Sequence, residues 1–503
     1  MKNERQIGIF IGYANMLTNF IVVLLYTPFM LNSIGQSEYG LYSLASSIVA
    51  YLSVLDMGFG NSMIRFVSRN QARNEGNEKI NGMFLVLYSI IGIIAFIIGM
   101  VILSNASVLF SNSLSVEELG KLKIIMGILI FTISISFPLS VFSSYAVASE
   151  KFIFLKVLAL IQSIIVPLTM LPLLYSGFKS IALVVVTNTY TILFSIITMY
   201  FCFKKLKMKI SFDVSIFGTE TFKEVLIYSL YIFLNLMVDS VFNNTDQVIL
   251  GIFSGTVAIS IYEVASKIIK INQTFSTTIS GVFFPQIAKV VEEKNSKEKL
   301  SNIFIKVSRI QLYVMLLILS GFIIYGKMFI DLWVGSEYIE SYFIVLLIMV
   351  PSVVPLTQNL GISILQAENK HKFRSVVYFG IAILNILVSI PLAKLYGGIG
   401  AAIGSALAII IGQILTMNIY YWKVIGIDII GYWKFFIKIV LQVAIVSFIS
   451  IKLLKYVSCS YISLIICVAL YTICYSVIIY FNMNSEEKEY VQNFVKKICR
   501  VGR

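Results

Sequence analysis

Four polar residues, Asn235, Asp239, Asn243 and Asp246, recur inside one apolar stretch of the chain. On a helix they fall within a sector of about 80°. In the next apolar stretch Glu263, Lys267, Lys270, Thr274 and Thr277 share a second sector of about 80°. Glu263 and Lys267 stand four apart and form a self-neutralising pair, which leaves Lys270 in excess. Two ammonium groups one turn apart suit a phosphate or pyrophosphate, which they meet as point charges. Asp239 and Asp246 fit either of two roles, answering a lysine or binding Na⁺ or a proton, and the sequence does not choose between them. A third polar face carries Asn15, Thr18, Asn19 and Tyr26 near the N-terminus. Hydrocarbon satisfies none of these groups, so the three faces are expected to line a shared water-filled cavity. The plainer alternative is that the Asn and Thr side chains bond across helix contacts.

Asp56 and Arg65 flank a glycine-containing string, Leu55-Asp56-Met57-Gly58-Phe59-Gly60-Asn61-Ser62-Met63-Ile64-Arg65. Its glycines permit a close backbone approach or a helix break. Asp56 and Arg65 are candidates for the site, against the reading of a structural turn with a membrane anchor. His371 is the chain's one histidine and sits in the basic run Lys370-His371-Lys372-Phe373-Arg374, a poor metal site. The five cysteines form no C-x-x-C pair, so neither a disulfide framework nor a thiolate metal site is expected.

The elements that position these residues are membrane spans. Of the 503 residues 58% are hydrophobic and 13% charged, against roughly a quarter charged in ordinary domains. Apolar runs of about 20 residues, enough to cross a bilayer, recur along the chain. The expected fold is an all-α polytopic membrane protein with about fourteen transmembrane helices. The first span, 7–30, is read as retained, because it lacks the short apolar stretch and cleavage site of a signal peptide. The eighth, 254–287, is longer than a bilayer needs and either tilts or leaves the membrane near Pro285. The eleventh and twelfth are placed at 376–394 and 398–421.

The chain also repeats itself. Gly40-Leu-Tyr-Ser-Leu-Ala-Ser-Ser-Ile48 matches Ser260-Ile-Tyr-Glu-Val-Ala-Ser-Lys-Ile268, and at the same separation Asn15 meets Asn235, Asn19 meets Asp239 and Gly35 meets Gly255. Where the first copy has Ser43 and Ser47, the second has Glu263 and Lys267. Ionisable groups at membrane depth are functional candidates by default. The expected organisation is a six-helix bundle over 1–202, a basic cytoplasmic linker at 203–223, a second six-helix bundle over 224–421, and two further helices with a tail over 422–503. Two parallel six-span copies call for a pseudo-twofold axis along the membrane normal. Two such halves can rock about a site between them, the architecture of transporters.

With the N-terminus inside, Lys and Arg crowd alternate loops, including Arg65, Arg69, Arg73, Lys79 and the Lys204–Lys209 cluster. That bias is the positive-inside signature and places both termini in the cytoplasm. The net charge of +14 therefore belongs to membrane topology and argues against nucleic acid as a partner. Trp333, Trp422 and Trp433 fall at span ends, as an interfacial belt requires. No Gly-x₄-Gly-Lys-Ser/Thr loop is present, so the chain is not expected to hydrolyse ATP. No enzyme signature and no cofactor are expected, although coupling to H⁺ or Na⁺ is open.

The strings Leu55–Arg65, Asp246-Gln-Val-Ile-Leu-Gly251, Tyr262-Glu-Val-Ala-Ser-Lys-Ile268 and Leu365-Gln-Ala-Glu-Asn-Lys-His-Lys-Phe-Arg-Ser375 resemble the polysaccharide-biosynthesis, or oligosaccharide flippase, family. That family lies within the multidrug/oligosaccharidyl-lipid/polysaccharide exporter superfamily. The resemblance covers essentially the whole chain. It implies a flippase of the bacterial cytoplasmic membrane that moves polyprenyl-pyrophosphate-linked oligosaccharides from the inner to the outer leaflet by alternating access. Glycan polymerase and other assembly proteins are implied as partners, besides the membrane lipids themselves. Lipid II flippases of the superfamily carry arginines in their first span; here that span has no cation after Arg5, which favours a capsule, O-antigen or exopolysaccharide unit. On this reading Lys267, Lys270 and Arg65 meet the pyrophosphate or an acidic sugar. The rival readings are a cation-coupled exporter of small amphipathic compounds and a membrane enzyme or scaffold for glycan synthesis.

Overall fold

Long apolar runs without competing turn chemistry must satisfy every backbone group internally, so they become helices. The computed structural model describes residues 2–489 apart from 214, 216–219, 294–295, 369, 455–457 and 486, and leaves aside the side chains of 2–10, 13, 221, 231, 234, 235, 285, 371 and 372. The described residues contain helices and connecting loops but no strand. Eleven of the helical segments are long and apolar enough to cross a membrane. The chain divides into two compact units, Met1–Glu263 with Ala382–Gly404, and Val264–Ile381 with Ser405–Arg503.

The first unit is built from α1 (Lys2–Ile34), α2 (Gln36–Ser53), α3 (Phe59–Ala72), α4 (Glu78–Phe110), α5 (Val116–Ala148), α6 (Phe152–Tyr175), α7 (Ser180–Lys204) and α8 (Glu220–Phe253). Helix α9 (Thr256–Gly281) begins in this unit and ends in the other. Ser115 starts α5 with a capping box, its side chain accepting from the Glu118 N–H while the Glu118 carboxylate accepts from the Ser115 N–H, so two otherwise orphaned donors are met. The core gathers Met63 and Phe66 from α3, Met83, Phe84 and Tyr88 from α4, and Val141 from α5. Helices α4 and α5 pack closely because Gly92 offers no side chain; a Cβ there would lie 2.5 Å from the Ser134 carbonyl oxygen. Small residues at such contacts are how helices approach one another in lipid.

After α7, residues 208–213 run without helix over the start of α4. The Asn81 amide donates to the Lys209 carbonyl at 2.9 Å, the Ser211 N–H donates to the Glu78 carbonyl at 2.9 Å, and Lys79 pairs with Asp213 at 2.7 Å. The Lys79 ammonium and the Ser215 hydroxyl and N–H hold the Asp213 carboxyl down at about 2.

The second unit holds the remainder of α9, then α10 (Phe284–Val291), α11 (Ser296–Val334), α12 (Glu340–Thr357), α13 (Leu360–Ala367), α16 (Ile429–Leu454) and α17 (Tyr461–Asn482). The eighth apolar run therefore stops as a helix at Gly281 and restarts at Phe284. Phe304, Leu360, Ile364, Tyr421 and Tyr432 form its core. Helix α14 (His371–Ala408) is two arms folded at Gly397, where φ is +55° and ψ −133°. Gly400 and Gly404 bring the arms together, and the Ser389 hydroxyl donates to the Ala401 carbonyl across the fold. Beyond it the helix continues through π-helical Ile409–Thr416, α15 (Met417–Tyr420) and π-helical Tyr421–Ile425.

Gly35 and Gly255, which precede α2 and α9, have φ of +81° and +84°. Gly177 and Gly397 stand in the same register as that pair and have φ of +84° and +55°.

Candidate functional site

In the first unit the polar end of α8 is tied to its neighbours residue by residue. Thr245, Asp246 and Gln247 are buried. The Thr245 hydroxyl bonds the Tyr51 hydroxyl of α2 at 2.6 Å. The Tyr262 hydroxyl of α9 donates to Asp246. Gln247 donates from Nε2 to the Glu263 carboxylate at 3.2 Å. Asp246, which is buried, and Glu263, which is half-buried, are thus each tied across the α8–α9 contact, and both were expected in the site. Three buried polar atoms on α1, α2 and α8, namely Tyr26 Oη, Ser43 Oγ and Gln247 Oε1, bond no protein group among the described residues.

Farther from the α8–α9 turn, Asp239 and Asn243 are exposed. Asn243 donates back to the Asp239 carbonyl at 2.7 Å, leaving its amide oxygen outward. The side chain of Asn235 lies outside the described residues. On α1, Asn19 is exposed, while the Asn15 amide donates to the Lys156 carbonyl of α6 at 2.8 Å. The Lys156 ammonium crosses α1 at Gly12, 3.0 Å from where a Cβ would stand. A cation thus reaches the polar face of α1 from a neighbouring helix. The spacing of polar residues along α1 gives no sign of it, because Lys156 belongs to another helix.

Asp56 and Arg65 are placed apart from these groups in role. One Asp56 oxygen accepts from the Tyr88 hydroxyl at 2.6 Å and the other from the Gly58 N–H at 3.1 Å. Those bonds hold the left-handed turn at Met57 and Gly58, with φ of +51° and +73°. Arg65 is exposed, with its guanidinium 4.9 Å from the centre of the Tyr228 ring.

In the second unit α9 is polar on two opposite sides. Asn272, Ser276 and Ser280 are buried. Ser276 donates to the Leu356 carbonyl at 2.6 Å, its own carbonyl accepts from Gln311 at 3.0 Å, and its hydroxyl accepts from Asn359 at 3.3 Å. The other side shows Lys270, Thr274, Thr277 and Thr278 exposed, with Lys267 half-buried. The threonine hydroxyls fold back on backbone carbonyls one turn earlier, as Thr274 does on Lys270 at 2.8 Å. Their hydroxyls are thus committed to the helix backbone. Lys270 stands fourteen residues into α9, about 21 Å along the helix. Among the described residues no group of three or more His, Cys, Asp or Glu side chains could hold a metal ion.

The family model for polysaccharide biosynthesis proteins matches residues 8–291, more than half of the chain. The chain belongs to that family. It is similar to a putative O-antigen transporter of Shigella flexneri, 21% identical over 401 residues that cover 78% of this chain and 92% of the relative. It is also similar to the probable flippase AglR of Haloferax volcanii, 22% identical over 413 residues, with coverage of 80% and 81%. Among solved structures, the lipid II flippase MurJ in an inward closed conformation matches 94% of this chain and 99% of its own, with a TM-score of 0.71 at 16% identity. An inward-facing multidrug resistance MATE transporter of the MOP superfamily matches 80% of this chain and 98% of its own, with a TM-score of 0.58 at 15% identity. At these identities the structural likeness shows the fold alone. The family, its relatives and the fold together place this chain with multi-pass membrane transporters rather than with enzymes.

Proposed function

We propose that this protein is a flippase for polyprenyl-pyrophosphate-linked oligosaccharides, carrying repeat units of a capsule, O-antigen or exopolysaccharide from the inner to the outer leaflet. The observation that carries this reading is the face of α9 that shows Lys270, Thr274 and Thr277 exposed beside half-buried Lys267, opposite a side that is buried in the second unit. Membrane insertion of a lysine at a helix centre costs about 2.5–3.5 kcal/mol, so a helix that keeps two has a use for them. Lys267, Lys270 and Arg65 attract the pyrophosphate or an acidic sugar. Asn15, Asn19, Asn235 and Asn243 hydrogen-bond the glycan. Asp239, Asp246 and Glu263 tune the lysines or couple movement to H⁺ or Na⁺. Asp56 keeps the Met57–Gly58 turn in shape at the start of the helix that carries Arg65.

On this reading the chain crosses the membrane fourteen times. The eleven apolar segments supply twelve crossings, because Phe373–Ile425 folds back at Gly397, and α8 and α9 supply two more. The six-span repeats are related by a pseudo-twofold along the membrane normal and work by alternating access. Both termini are cytoplasmic. A glycan polymerase receives the product on the outer face. The relatives named as an O-antigen transporter and a flippase support this reading.

The test is mass spectrometry of lipid extracts from cells with and without the protein, in a background with intact glycan polymerase. Accumulation of a complete polyprenyl-pyrophosphate oligosaccharide on loss of the protein supports the flippase and reveals its cargo. Retention of dyes without such lipids supports a small-molecule exporter instead, and truncated oligosaccharides support an enzyme or scaffold.

A further inference from the structure

We infer that the corner where the helix ending at Ile425 meets α16 is a binding site for an anionic phospholipid. The wall begins in α15 and the π-helical segment that follows it. They present Ile419 and Trp422 outward, 55% and 51% exposed, while Tyr421 turns inward against Gly361. Gly426 then reverses the chain and α16 starts at Ile429. The cleft left between them has a volume of about 340 Å³, and its wall includes Ile419, Trp422, Ile430, Trp433, Lys434 and Ile437.

Its one buried polar group is already committed. Asn418 donates to Gln358 at 3.1 Å and to the Ile414 carbonyl at 2.7 Å, and its oxygen accepts from Gln358 at 2.9 Å and from the Trp433 indole at 3.2 Å. The interior of the cleft therefore offers nothing further to water and suits a hydrocarbon chain. The mouth is cationic. Lys434 and Lys438 stand one turn apart and exposed on α16, and Lys423 is exposed on the facing segment. Between Met417 and Lys438 the sequence has one carboxylate, exposed Asp428, which accepts from the Gly431 N–H at 2.8 Å, against these three lysines. Beyond the lysines the same side of α16 shows Leu441, Ile445 and Phe448, each about 60% exposed, a surface made for lipid tails. Lysines near a helix end extend their stems along such a surface and place the ammonium at headgroup level, and basic pockets between spans recognise anionic headgroups. Trp422 and Trp433 fix the depth as interfacial. The occupant is thus a glycerophospholipid with a net negative head, one acyl chain in the cleft and its phosphate on Lys434 and Lys438.

The experiment is native mass spectrometry of the full-length protein in neutral detergent, offered phosphatidylglycerol or phosphatidylcholine of the same acyl chains. Wild type should retain phosphatidylglycerol at least fivefold over phosphatidylcholine. K434Q/K438Q should abolish that preference, K434R/K438R should keep it, and Ile430→Trp, which fills the cleft, should displace the lipid without removing charge. Lys394→Gln, on the fold of α14, should change nothing. Equal retention of the two lipids by wild type, or undiminished preference in the glutamine variant, overturns the site. So does a polyprenyl phosphate that outcompetes phosphatidylglycerol in wild type and loses its hold in the glutamine variant, because the cleft would then belong to the transported lipid.

Discussion

At the scale of single residues, the two lysines of α9 and the arginine of α11 show how differently a cation is kept in a helical membrane protein. Arg309 is 15% exposed and Glu487 7% exposed, and they pair at 3.2 Å. The same guanidinium donates to the Asn482 carbonyl, and Glu487 also accepts from Tyr313 and from the Asn484 N–H. This pair is held from both sides and fastens the end of α17 to α11. Breaking one side of such a pair leaves an uncompensated charge and costs about 3–5 kcal/mol. Arg309→Ala and Glu487→Ala should each lower the thermal unfolding temperature in detergent, and the double variant should lose much less than the sum of the two. Lys270 instead stands exposed on its helix face. A charge-assisted contact to phosphate is worth about 1.5–3 kcal/mol, roughly a ten- to hundredfold change in affinity. Lys267→Glu should therefore abolish surface glycan, and Lys270→Gln should lower it by about that range, with protein levels unchanged on immunoblot and Lys270→Arg retaining output. Glycan output that survives Lys267→Glu in cells with verified protein removes the lysines from the mechanism.

At the scale of elements, two glycines separate backbone shape from close packing. Gly397 has open space where a Cβ would be, its nearest neighbour being Ser254 Oγ at 4.0 Å, yet its φ and ψ of +55° and −133° are strained for any L side chain. Gly397→Ala should cost about 1–3 kcal/mol through the backbone alone. Gly40 is ordinary helix, but a Cβ there would fall 2.0 Å from the Thr256 carbonyl oxygen, which no rotamer relieves. Gly40→Ala must push α2 off the start of α9, so its loss of thermal stability should exceed that of Gly397→Ala; the reverse order would mean that the α2–α9 contact yields readily. These elements also show what could be read beforehand. The apolar runs and their approximate ends were legible because membrane length and hydropathy act locally. The split at 394–398 was legible from the same pattern, and the structure shows its hinge at Gly397. The stop at Gly281 was not, because neither Gly281 nor the apolar Val282-Phe283 that follows it is a distinctive breaker, and Pro285 reads as the end of the run although it sits in the first turn of α10. The same limit applied to the site. Helical spacing grouped Lys267, Lys270, Thr274 and Thr277 on one face, but spacing is blind to partners on other helices. It could not show that Asp56 is tied to Tyr88, that Asp246 meets Tyr262, or that Lys156 reaches α1.

At the scale of the whole molecule the question is which exposed faces meet water and which meet hydrocarbon. Two kinds of exposed helix surface exist in the second unit. Ile445 and Phe448 on α16 are 64% and 60% exposed among other apolar side chains, as a lipid-facing surface requires. Lys270, Thr274 and Thr278 on α9 are exposed as well, and facing lipid with Lys270 alone would cost about 2.5–3.5 kcal/mol in a fold whose total stability is of order 5–15 kcal/mol. Water contact removes that cost, and a transporter needs such a contact along its route. Single cysteines should distinguish the two surfaces. The native thiols of Cys459 and Cys474 are exposed, so the background must first have all five cysteines replaced. Thr274→Cys and Thr278→Cys, which leave the lysines in place, should then react in intact membrane vesicles with a charged, water-soluble thiol reagent. Ile445→Cys should stay unreactive until detergent is added. Protection of Thr274→Cys by added lipid-linked oligosaccharide would tie the wet face to cargo. If Thr274→Cys reacts no faster than Ile445→Cys, the α9 face is dry, its lysines are answered by protein alone, and the route of the headgroup must lie along other helices.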